Sequence, residues 1–176
     1  MMAIATHATI ESRDLPLPPR DARLAEMLAR WHAARRSDPL PLRADVTFEA
    51  MLPMVGHVDL VDVLPAGSAS RFVFRLVCTA RETRDGFVVR ATGDIRPAAL
   101  ARATEADFAA CVTAAAPVLR EVTLGDGART VRFFRLILPY AERRGDATPS
   151  FLADCLVDEP GVRELLADPS FRNGAG

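Results

Sequence analysis

The chain has 176 residues, 49% of them apolar and 26% charged, with a formal charge of -1. So apolar a composition excludes a disordered chain, and the length suits one domain able to bury a core. The balanced charge gives no general attraction to nucleic acid or anionic lipid, and no apolar run approaches the roughly 18 residues that a membrane span requires.

Residues 1–19 mix small, polar and proline residues and end in "LPLPP", which predicts a flexible arm that stiffens into extended structure. No basic segment followed by a continuous apolar stretch opens the chain, so no secretory signal is read and a cytoplasmic location is expected. Residues 20–36 form a separate N-terminal unit. Leu24, Met27, Leu28 and Trp31 recur at i, i+3, i+4 and i+7, which predicts an amphipathic helix from about Asp21 to Arg36, ended before Pro39 and Pro41.

A main domain is expected over 37–158 and a C-terminal extension over 159–176. "DVTFEAMLPM" predicts a short helical piece around Phe48–Leu52. "HVDLVDVL" (57–64) and "RFVFRLVCTA" (71–80) read as two strands of a hairpin across "PAGSAS". The stretch 81–103, punctuated by Gly86, Gly93 and Pro97, reads as loops and short turns. Thr104 and Asp107 have capping-box spacing ahead of Phe108, Cys111, Val112 and Ala115, which predicts a helix over 105–116, closed by Pro117. "VLREVTL" and "RTVRFFRLILPY" flank "GDGA", whose Asp126 and Gly127 suit a tight hairpin. "FLADCLVD" is the last strand, and a short helix over 161–167 follows.

Two strands, a helical insertion and three strands can close into one antiparallel sheet if the hairpin and the meander pair through the first and last strands. With the leading helix "LAEMLARWHAARR", the run "LPLRADVTFEAMLPMVGHVDLVDVL", "SRFVFRLVCTA", the "ATGDI" loop and "FRLILPYA", this order resembles the short PAS-like family common in alphaproteobacteria, over roughly residues 22–158. The resemblance implies an α+β fold: a PAS-like five-stranded antiparallel sheet with helices on one face and the N-terminal helix packed on the other. It also implies a stand-alone sensory or regulatory module that binds a small apolar ligand or a signalling protein partner and is not an enzyme. Members of that family usually carry Gly-Thr at the end of the second strand, where this chain has Cys78-Thr79.

Strand alternation places Phe72, Phe74, Leu76 and Cys78 on one face, with Phe134, Leu136, Leu138, Val122, Leu124, Phe151, Ala153, Cys155 and Val157 completing it under the middle helix. The candidate ligand cavity on that face is bounded by Phe74, Cys78, Phe108, Cys111, Val112 and Leu136. Val73, Val77, Phe133 and Ile137 then form the opposite face, covered by Leu24, Met27, Leu28 and Trp31 of the N-terminal helix, in its own subunit or exchanged within an expected homodimer. Arg75 and Arg135 are expected to lay their stems on that outer face and reach acids such as Asp21 or Glu26.

His57 with Asp59 or Asp62 is the one acid/base arrangement that an alternative reading, a small α/β cavity enzyme, would use. A ligand-free dimerisation module is a third reading. Cys78, Cys111 and Cys155 are widely spaced without a C-x-x-C, so they read as buried thiols, not as a disulfide framework or zinc site. No histidine pair has metal-ligand spacing, and no metal is expected. Haem-binding PAS sensors generally use a histidine of the helical segment, and 97–117 has none. Cys111 lacks the Asn-Cys-Arg-Phe-Leu context of flavin-binding light sensors, so no cofactor is expected.

Overall fold

The computed structural model describes residues 8–79 and 89–174. In order these form β1 (Thr9–Leu15), α1 (Ala22–Arg35), a short α2 (Phe48–Met51), β2 (Val58–Val63), β3 (Phe72–Leu76), α3 (Ala98–Ala114), β4 (Val118–Gly125), β5 (Thr130–Tyr140), β6 (Phe151–Asp158), α4 (Val162–Ala167) and α5 (Pro169–Gly174). The protein is α+β, with one six-stranded antiparallel sheet in the order β1-β4-β5-β6-β2-β3. The hairpin β2-β3 joins the meander β4-β5-β6 by pairing of β2 with β6, which sets Val58 opposite Cys155 and Asp62 opposite Phe151.

The sixth strand is the first departure from expectation. Residues 9–15, read above as part of a flexible arm, pair along their whole length with β4, from Thr9 opposite Gly125 to Leu15 opposite Leu119. Alternation is present but weak: Ile10 faces the core and Ser12 reaches a buried carboxylate, while Glu11 and Arg13 stay outside. The prolines lie just beyond the strand, where they interrupt no ladder. Residues 1–7 and 80–88 lie outside the described residues, as do the parts of the arm and of the loop expectation over 81–103 that fall on them.

Local chemistry explains the helices. Asp21 caps α1 by accepting from the Arg23 and Leu24 amides at 2.9 and 3.2 Å. Helix α3 begins at Ala98, well before the expected position. Pro97 is tolerated at a helix start and the alanine-rich run continues from it, so Thr104 sits inside the helix instead of capping it. It ends at Ala115 in the left-handed conformation, φ 49°. The β4-β5 hairpin turns at Gly127, φ 85°, with the Asp126 carboxylate accepting from the Ala128 and Arg129 amides.

Both faces of the sheet are buried. On one, α1 lays Leu24, Met27, Leu28 and Trp31 against Leu136, Leu138, Tyr140, Phe151, Ala153 and Cys155. Trp31 Nε1 donates to the Pro139 carbonyl at 2.7 Å. On the other, α3, α4 and α5 cover Val61, Phe72, Phe74, Val122, Phe133, Ile137, Leu152 and Leu156.

The expected assignment of faces is therefore corrected for β5, and for β6, whose Phe151, Ala153 and Cys155 lie under α1 with Val157 packed against them. Phe133 and Ile137 belong with Phe72 and Phe74 under α3, and Leu136 and Leu138 belong under α1. Val77 packs on the α3 side too, so of the expected set Val73, Val77, Phe133 and Ile137, the last three do not meet Leu24, Met27, Leu28 and Trp31. Register decides this. Asp154 stands opposite both Asp59 and Ile137, and Leu152 opposite Val61, which in turn stands opposite Phe74. Residues directly opposite share a face, so Ile137 must follow Phe74.

This phase has a measurable consequence. Leu136→Ala and Ile137→Ala should each destabilise by about 2–5 kcal/mol in urea unfolding. In hydrogen exchange, Leu136→Ala should speed exchange mainly in residues 22–35 and Ile137→Ala mainly in residues 98–114. The reverse pattern would overturn the assignment.

Candidate functional site

The α3 face of the sheet holds charge where only apolar groups would normally sit. Arg135, in the middle of β5, is 1% exposed, and Asp154 on β6 is wholly buried. Arg135 Nε lies 3.1 Å from Asp154 Oδ1, and its Nη1 lies 3.4 Å from Asp107 Oδ2 of α3. The same Nη1 donates to Thr104 Oγ1 at 3.1 Å. Asp107 is also approached by Arg120 Nε of β4 at 3.2 Å and accepts from Ser12 Oγ of β1 at 2.9 Å. Arg120 continues to Asp14 of β1 at 2.6 Å. Asp59, cross-strand from Asp154, accepts from the Cys78 amide at 2.7 Å. The rings of Phe108 and Phe133 flank the Arg135 guanidinium at 5.3 and 5.7 Å.

A cavity of ≈ 70 Å³ opens beside this network, large enough for several waters or a small ligand. Phe133, Arg135 and Leu156 of the sheet form its floor, and Leu100 and Thr104 of α3 form one wall. Cys78 after β3 and the turn Asp94-Ile95-Arg96 form another. Val162 and Leu166 of α4 and Arg172 of α5 close the remaining side, so the C-terminal segment, expected as an extension, supplies part of the enclosure. The turn is held by the Asp94 carboxylate, which accepts from the Arg90 and Ala91 amides at 2.8 and 2.9 Å. Those two bonds hold its carboxyl below the usual carboxylate range.

Of the six expected ligand contacts, only Cys78 lines this cavity. Phe74, Phe108 and Cys111 are buried beside it in the same core, with Val112 packed against them. Phe108 stacks edge-on against Phe72 at 5.3 Å. Leu136 is on the opposite face under α1. Burial pushes the Cys111 and Cys155 thiols up, away from the reactive thiolate.

Arg75 and Arg135 do not reach Asp21 or Glu26. Arg75 pairs with Asp62, which Arg43 also approaches at 3.2 Å, and Arg135 takes the buried partners above. His57 lines the cavity mouth. Asp62 points to the α1 side of β2 and Asp59 to the α3 side, and among the described residues no hydrogen bond or ion pair joins His57 to either.

Sequence reasoning missed Thr104, Asp107 and Asp154 as partners of Arg135. The available signal was an arginine in "FFRLIL" matched by an aspartate in "FLADCLV". Charges at the centres of otherwise apolar strands require one another. Among the described residues, no three His, Cys, Asp or Glu side chains gather as metal ligands, and no helix is long and apolar enough to cross a membrane. Comparison with protein-family models, curated proteins and solved structures finds no match.

Two measurements probe this site. Asp107→Ala removes the buried carboxylate that Arg120 and Arg135 share and should lower the unfolding free energy by about 3–5 kcal/mol. Arg13→Ala, which removes the exposed partner of Glu121, should cost less than about 1 kcal/mol. Because Asp94 is depressed in the folded state, its contribution is present above the ordinary carboxylate pKa and is lost as pH falls through the folded value. The Arg90 and Ala91 amide resonances should therefore titrate with a midpoint under about 3.9, and Asp94→Asn should abolish that step.

Proposed function

We propose that the chain is a PAS-like sensory or regulatory module, without catalytic activity, that binds a small ligand in the α3-side cavity and signals through protein contacts. The observation that carries this reading is the enclosed cavity between the sheet and a helical layer, lined by a buried arginine. Strand order supports it as well. Without the added edge strand β1, the remaining five run β4-β5-β6-β2-β3, the closure of hairpin and meander that the PAS resemblance implies.

The C-terminal helices are the natural output element. Val162, Leu165 and Phe171 are buried against the same core that surrounds the cavity, and a ligand touching Leu166 and Arg172 favours the docked arrangement over an undocked one. A contact surface is also at hand. Phe48, Leu52 and Val55 are 71, 52 and 50% exposed, an apolar group that supports association with a signalling partner or a second copy of the chain. The α1 stripe is already covered within one chain, so a homodimer would use a surface other than that stripe.

Native mass spectrometry of freshly purified protein tests the reading, with Leu166→Trp as a cavity-filled control. The wild type should retain a small-molecule mass that the variant lacks, and the variant should slow hydrogen exchange in residues 162–174. A bare wild-type mass together with unchanged exchange in the variant would sink the proposal.

A further inference from the structure

Within the cavity two buried donors converge without acceptors. Arg135 donates from Nη1 to Thr104 Oγ1, and its Nε faces Asp154, but its Nη2 has no hydrogen-bond partner among the described residues. Thr104, 1% exposed, already uses its oxygen as the acceptor for Nη1, so its single proton needs an acceptor elsewhere. Among the described residues it has none. Both side chains line the cavity. A buried donor left unsatisfied is costly, so the site calls for a group that supplies acceptors only.

We propose, building on the sensor reading above, that the ligand is a small carboxylic acid with an apolar body. Its carboxylate accepts from Arg135 Nη2 and from the Thr104 hydroxyl, while its body lies against Phe133, Leu156 and Leu100. An ionised carboxylate provides two oxygens and no donor, and it matches adjacent donors of this kind better than an alcohol or an amide, which bring protons of their own. In the network beneath the floor, Arg120 and Arg135 are set against Asp107 and Asp154, with the buried Asp59 cross-strand from Asp154. The walls add Arg96 and Arg172 beside Asp94 and Asp158. The small cavity volume limits the body to a short chain or a single ring.

Titration calorimetry with benzoate and hexanoate, against benzamide and benzyl alcohol at constant ionic strength, tests the assignment. The acids should bind at least about tenfold more tightly than the neutral probes, the difference expected of charge-assisted hydrogen bonds. Arg135→Lys and Thr104→Val should each weaken acid binding by about tenfold and leave benzyl alcohol unchanged. If Arg135→Lys does not fold, by its melting transition, Thr104→Val decides. Equal binding of acid and amide, or variants that leave the acid affinity intact, would overturn the carboxylate assignment and leave the sensor reading standing. Absence of binding by all four probes, together with no effect of Leu166→Trp in the mass experiment, would overturn both.

Discussion

A guanidinium in the middle of a sheet that is covered on both faces has no route to water, and the fold is arranged to meet that demand. Arg135 cannot extend past its neighbours to solvent because α3 lies over it. Three elements answer it instead: α3 supplies Asp107 and Thr104, β6 supplies Asp154, and β1 supports Asp107 through Ser12. Asp107 and Asp154 are held by arginines and a hydroxyl, and Asp59 by the Cys78 amide, which is how such a network is tolerated in a low-dielectric core. The edge strand β1 is tied to the sheet by the same chain of contacts, through Asp14 and Arg120 as well as through its backbone ladder.

The parts legible in the sequence are those governed by short-range chemistry. The stripe of α1, the strand runs and the Asp126-Gly127 turn follow from periodicity and backbone preference, and the pairing of hairpin with meander follows from the order of elements. The phase of β5 was not legible. Phe133, Arg135 and Ile137 are about as apolar a set as Phe134, Leu136 and Leu138, and a strand buried on both sides carries no polar face to orient it. β5 was therefore read one residue out of phase, and the candidate cavity inherited that error at Leu136. Leu136 was placed on the wrong side, and Arg135 was read as an edge residue because its partners come from segments distant in the chain.

β1 and the docking of the C-terminal helices were hidden for a different reason, although the helix over 161–167 was itself expected. Neither has strong intrinsic preference: "TIESRDL" is polar at most positions, and "VRELLA" and "PSFRNG" are each shorter than two turns. Their structure comes from docking, of β1 onto β4 and of Val162, Leu165 and Phe171 onto the α3-side core. Segments held by tertiary contact more than by local preference are the ones whose docking a cavity occupant can shift by a modest free energy. That places any coupling between cavity and partner at the C-terminal helices, and makes α1, whose Trp31 is buried and hydrogen-bonded to Pro139, the fixed side of the molecule.

The two helical layers consequently have unequal tasks. On the α1 side, contacts are apolar apart from the indole bond and the Asp62 and Glu121 ion pairs toward the sheet margin, and tight packing there needs no ligand to complete it. On the α3 side the same sheet presents Arg135 Nη2, a buried donor without a hydrogen-bond partner among the described residues. Filling that space with an apolar side chain would leave Arg135 Nη2 and the Thr104 proton unmet, so water or a ligand oxygen must stand there. A space bordered by apolar walls, the Arg135 guanidinium and the C-terminal helices is where the proposed ligand would act. It is this inequality between the two faces, more than the sheet they share, that assigns the proposed sensing role to one side of the molecule.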